Sequence, residues 1–123
     1  MDGHIETGHS GLELNEALDR AMGDGAFLRT LLEDYFQKLP GIMESLDTAV
    51  REGDTPRLKQ TAHSLKGMSA NLGCALIQQL VMRLEAAAQN SEPRVCIELL
   101  GELDEAIRRT RKLVDEIDWS VYD

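Results

Sequence analysis

His63 is the residue of this 123-residue chain best placed for covalent chemistry. It falls inside a segment with helical spacing, and its neighbours can be set out on a wheel at about 100° per residue. Leu58, Ala62, Leu65, Ser69 and Leu72 then point within roughly 40° of one direction, which marks the core face. His63 lies about 140° from that direction, on the side shared by Lys59, Lys66, Gly67 and Ala70. An exposed histidine by itself is most often an idle surface residue, and lysines on a solvated face are ordinary. Gly67 is not ordinary. Glycine in a helix interior costs about 1 kcal/mol relative to alanine, and on an exposed face close packing does not excuse it. One turn after a histidine, it reads as clearance for another molecule. An imidazole has an ordinary pKa of about 6.5, so an exposed one is a nucleophile at neutral pH. It can take a phosphoryl group on one nitrogen. A lysine beside it offsets charge on the phosphoryl oxygens, and a missing side chain lets a bulky donor approach in line.

The elements that hold this face are helices. Leu, Ala, Glu and Arg abound, while three prolines and five aromatics interrupt little. No segment alternates apolar and polar residues over strand length. Leu14, Leu18 and Met22 predict a first helix over Leu12–Met22, closed by Gly23. Leu28, Leu32, Tyr35, Leu39, Ile42, Leu46 and Ala49 predict a second over Gly25–Arg51. Pro40 falls inside it and implies a kink or a break near Leu39, with the unbroken periodicity favouring the kink. Asp54-Thr55-Pro56 is a start signal for the histidine helix, which ends at Asn71 or Leu72 before Gly73. A fourth helix is predicted over Cys74–Gln89 and a fifth over Pro93–Ile117. Short links imply antiparallel neighbours. The expected fold is all-α: an up-down-up-down antiparallel four-helix bundle with an additional short N-terminal helix. Residues 12–119 form one domain in this reading, and residues 1–11, which carry His4, form a flexible Gly-rich head with His9.

Composition excludes several classes of function. Charged residues make up 28% of the chain, and the longest apolar run is the four residues from Cys74 to Ile77, so no membrane span is expected. No basic stretch leads into an apolar one, so no secretory leader is expected. The net charge of −9, from 22 acidic and 13 basic residues, argues against nucleic acid as a partner. Cys74 and Cys96 sit in apolar-rich segments and read as reduced, buried thiols. No metal-binding spacing such as CxxC or HExxH occurs. Nothing resembles a phosphate-binding glycine loop for ATP. Arg108, Arg109, Arg111 and Lys112 cluster late in the fifth helix. They read as a solvated face beside the helix C-terminus, with an anion or partner patch as the alternative.

The run Ala62-His63-Ser64-Leu65-Lys66-Gly67-Met68-Ser69-Ala70-Asn71-Leu72-Gly73 closely resembles the motif of histidine-containing phosphotransfer (HPt) domains, the relay modules of two-component signalling. Two flanks extend the resemblance over about Phe27 to Ala88. Ala49 to Asp54 matches the family's A-x-x-x-G-D before the histidine helix, and Leu84-Glu85 matches its LE on the next one. The resemblance implies that His63 is phosphorylated, that Lys66 stabilises the charge and that Gly67 gives clearance. Glu85 matches a family position that can orient the imidazole, although it also reads as a solvated helix acid. Ser69, on the core side, reads as a packing residue or a backbone hydrogen-bonder. Two departures stand out: Met68 replaces the usual small residue and is placed at the border of the docking surface, and Ala88-Gln89-Asn90 replaces a basic-then-glycine ending.

The resemblance further implies a phosphorelay intermediate with no kinase activity or cofactor of its own. The partner would be a response-regulator receiver domain, a hybrid sensor histidine kinase, or both, and Mg2+ would sit on the receiver. An apolar collar around His63 would dock it, with Leu14, Leu18 and Phe27 as candidates, although core packing competes for most of them. A cytoplasmic monomer is the expectation. Two alternatives stay open: the phosphotransfer domain of a chemotaxis-type kinase, and a helical adaptor that never carries phosphate.

Overall fold

A computed structural model of the chain describes residues 11–122. His4, His9 and the rest of the predicted flexible head lie outside the described residues. Five α-helices occur among the described residues: α1 Leu14–Arg20, α2 Gly25–Glu52, α3 Thr55–Asn71, α4 Ala75–Gln89 and α5 Pro93–Asp115. A 3-10 turn, Trp119–Tyr122, follows. No strand is formed among the described residues; a single bridge pairs Leu12 with Cys74.

Local chemistry accounts for both ends of α2 and the start of α3. Asp24 accepts a hydrogen bond from the Phe27 amide (3.0 Å) and starts α2. Gly53, with φ 65°, ends it in the left-handed conformation that glycine adopts without strain. Asp54 accepts from the Arg57 amide (3.2 Å) and starts α3, with Pro56 in its first turn. The second helix runs unbroken through Pro40, so it does not divide in two.

The first helix is shorter than its periodicity predicts: contacts with the turn into α4 take its start, and left-handed backbone at Met22 and Gly23 closes its end. The Glu13 amide donates to the Gly73 carbonyl (2.7 Å), and the Leu76 amide donates to the Gly11 carbonyl (3.2 Å). Gly11, assigned to the head by the sequence, is thus buried against α4. Gly73, at φ 74°, lies so close to the Glu13 carbonyl that a Cβ there would collide with it. Met22 at the other end takes a left-handed φ of 59°, outside the helix.

The helices form a closed ring of contacts, α2 with α3, α3 with α4, α4 with α5 and α5 with α2, while α1 packs on α2. One apolar core fills the centre. Leu32, Leu46, Leu65, Ile77, Leu84 and Leu103 are fully buried in it. The chain after α5 turns back, and Trp119 and Tyr122 pack against that core. No helix among the described residues is long and apolar enough to cross a membrane.

Candidate functional site

The third helix separates two faces. Leu58, Ala62, Leu65 and Ser69 are buried, as the wheel predicts, and His63 is exposed at mid-helix. Lys59 and Gly67, one turn to either side, are also exposed. A Cβ built on Gly67 meets nothing within 4 Å. Packing inside the protein therefore does not account for a glycine there, and the space beside the imidazole is open to a second molecule.

The other two predicted residues meet each other. Lys66 Nζ lies 3.3 Å from Glu85 Oε1, an ion pair joining α3 to α4. The side chains keep 31% and 24% of their surface exposed. Only one other pair among the described residues joins two helices, Arg83 with Glu102 at 3.9 Å, and it is far more exposed. Among the described residues, no hydrogen bond or ion pair reaches the His63 imidazole. Glu85, expected as a group that orients the ring, has its carboxylate on Lys66 instead. The resulting site is an unencumbered imidazole with a half-buried ammonium at i+3, the ammonium held from behind by a carboxylate.

On the core side, α3 is fastened to α2. The Ser69 hydroxyl is 2.8 Å from the Tyr35 hydroxyl, and both side chains are buried. The Tyr35 ring also packs edge-on against Phe36, with centroids 5.2 Å apart. Burial pushes the Cys74 thiol up to about 12, against a lesser lowering by its hydrogen bond with Tyr35. Burial likewise raises the Tyr35 phenol, with the neighbouring Cys74 adding to it. Both groups stay neutral and inert at neutral pH, which suits a structural role. Cys96 is also buried, and both cysteines are free thiols.

The sequence missed two contacts on α3. Arg20 Nη1 donates to the Asn71 carbonyl (3.0 Å) and so caps the C-terminal end of the histidine helix from α1. Nothing local signals a cap that arrives from 51 residues away. Tyr35 as the partner of Ser69 was equally hidden, since the pairing depends on how α2 and α3 are set against each other.

The expected collar is only partly exposed. Leu14 and Leu18 are 8% and 7% exposed and belong to the core, whereas Phe27 is 52% exposed. Met68 is half-buried in the seam between α3 and α2, beside Leu31 and Tyr35, and so flanks the side away from α4. Two of the four residues of the late basic cluster are paired within their own helix: Arg108 with Asp104 and Glu105, and Arg111 with Asp115. That matches a solvated face. A groove of about 710 Å3 runs between α2 and α5 past Phe36, Met43 and Ile107, and no residue of α3 lines it. Among the described residues, no group of three or more His, Cys, Asp or Glu side chains could hold a metal ion.

Neither the curated proteins nor the solved structures compared with this chain give a match. The model of one family, the Hpt domain, matches residues 30–113. That stretch is more than half of the chain, and it spans the positions of His63, Lys66, Gly67 and Glu85. A helical bundle with an exposed mid-helix histidine, matched over most of its length by that family, belongs to the Hpt domain family, whose members carry out histidine phosphotransfer in two-component signalling.

Proposed function

We propose that the chain is a phosphorelay intermediate in which His63 takes a phosphoryl group from the aspartate of a receiver domain and passes it to another receiver. The observation that carries this reading is the exposed imidazole of His63 beside Lys66 and a glycine whose missing side chain leaves open space. An imidazole nitrogen attacks phosphorus, a P–N bond forms, the acyl phosphate P–O bond breaks, and the receiver regains its carboxylate. Onward transfer runs the same exchange with the carboxylate of the second receiver as nucleophile. His63 is the phosphorylated residue, Lys66 offsets charge on the phosphoryl oxygens, and Gly67 leaves room for the incoming domain. Phe27 contributes to the apolar docking surface. The acceptor aspartates and the Mg2+ belong to the receivers, and the kinase that feeds the relay is a separate, hybrid sensor type. The four long helices alternate up and down, so that α3 shows one whole flank to a partner. The helical bundle acts as one cytoplasmic, monomeric domain.

The test is phosphoryl transfer from a panel of phosphorylated receiver domains to the wild type and to His63→Gln. We expect acid-labile, base-stable label on the wild type from at least one receiver, and none on the variant. His63 is exposed, so the variant's stability stays within about 0.5 kcal/mol of the wild type. No label from any active receiver on folded protein overturns the relay. Label arriving only from an ATP-binding kinase domain would make the chain the phosphotransfer domain of a chemotaxis-type kinase.

A further inference from the structure

The ion pair beside His63 leads beyond the roles assigned to its members singly. Lys66 is the half-buried cation of the site, and its ammonium has one anionic partner, Glu85, at 3.3 Å. His63 and Lys66 are at i and i+3 of one helix, where side chains are neighbours. A phosphoryl group on His63 brings nearly two negative charges and three acceptor oxygens into reach of that ammonium. Two anions then compete for one cation. A partly exposed carboxylate–ammonium pair is weak enough to exchange. Glu85 itself stays on α4 with no other ion-pair partner among the described residues, so it loses its counter-charge when Lys66 turns to the phosphoryl group.

We propose that Glu85 is a positioning residue that acts through Lys66: its carboxylate competes with the phosphoryl group on His63 for the same ammonium and so limits how firmly the phosphohistidine is held. The inference rests on phosphotransfer at His63. It differs from a carboxylate that orients the imidazole directly, because all of its effect passes through Lys66. A relay intermediate must give its phosphoryl group up again, and a standing competitor for the stabilising cation keeps the phosphorylated state labile. Lys59 has no ion pair among the described residues and is kept in every variant, so its contribution cancels in the comparison.

The experiment uses the full chain and potassium phosphoramidate as a small donor. The imidazole nitrogen displaces ammonia from phosphorus, and the half-life of the acid-labile label is then followed as water attacks phosphorus and the nitrogen recovers its proton. Wild type, Glu85→Gln, Lys66→Ala and the double variant are compared, with thermal unfolding as the control for folding. We expect Lys66→Ala to shorten the half-life. Glu85→Gln should lengthen it about two- to fivefold when Lys66 is present and leave it unchanged in the Lys66→Ala background. Glu85→Asp, which restores the charge, should return the half-life toward the wild-type value. An equal effect of Glu85→Gln in both backgrounds overturns the proposal in favour of direct action on the ring, and no effect in either background also overturns it. These two outcomes leave phosphotransfer at His63 intact. Absence of acid-labile label on the wild type, or equal label on His63→Gln, overturns the phosphotransfer reading and this inference with it.

Discussion

At the scale of single residues, the back of α3 is as specific as its front. Tyr35, Ser69 and Cys74 bring two hydroxyls and a thiol together where each is removed from water. The cost of burying these polar groups is offset by the hydrogen bond between Tyr35 and Ser69 and by the donation of the Cys74 thiol to the Leu72 carbonyl (3.9 Å). Burial raises the Cys74 thiol from 9.0 to about 12, and the Tyr35 phenol shifts in the same direction. Below pH 9 both groups are protonated in the folded and the unfolded chain, and their contribution to stability is complete. Between pH 9 and 12 the unfolded chain loses the Cys74 proton first, so stability falls as pH rises through that window. Urea midpoints measured from pH 8 to 11 should therefore decline for the wild type. The decline should be shallower for Cys74→Ala, and equal slopes would show that the thiol is not the group responsible. The sequence placed Ser69 on the core side but left its partner open, because a single helix wheel says nothing of which residue faces it across the core.

At the scale of the element, α3 combines a strict apolar stripe with an unfavourable residue on the opposite face. Leu58, Ala62, Leu65 and Ser69 hold it in the bundle, so the helix survives a mid-helix glycine. Since a Cβ at Gly67 would meet nothing, Gly67→Ala should raise stability by about 1 kcal/mol through helix propensity alone. On the proposed function, the same methyl would stand in the path of an incoming domain. Transfer from a receiver should slow in Gly67→Ala, while labelling by phosphoramidate, a far smaller donor, stays at the wild-type rate. A stabilised variant that takes phosphate from receivers at full speed would remove the clearance role. The faces and most ends of the long helices were legible in the sequence, because caps, glycines and periodicity are local signals. The first helix was not, since Glu13 pairs with Gly73 at its start and Met22 turns left-handed at its end.

At the scale of the whole molecule, the chain closes on itself at one corner of the bundle. The 3-10 turn after α5 brings Tyr122 onto the start of α2, where a Cβ on Gly25 would approach the Tyr122 Cβ to 2.5 Å. Gly25 has no need of a special backbone conformation, so its role there is to admit the tail. Gly25→Ala should push the tail off while the bundle persists. Trp119, the only tryptophan, is partly buried against the core and reports this directly. Its fluorescence emission should shift to the red in Gly25→Ala with cooperative unfolding retained. An unshifted spectrum would mean that the tail accommodates the methyl. The sequence ended the domain near this tryptophan, since four residues with no helical period carry no signal of where they dock.

What the sequence determined by itself is whatever one helix decides alone. The exposure of His63, the burial of the stripe behind it, the open space at Gly67 and the capping of α3 by Asp54 all follow from positions on a single 100° wheel and from side chains bonding their own backbone. The tertiary structure alone decided which groups meet across helices: Lys66 with Glu85, Ser69 with Tyr35, Arg20 with Asn71 and the tail with Gly25. Each of these depends on the rotation and sliding of one helix against another. That relative placement is set by many weak contacts filling the core together, and no local run of residues records it.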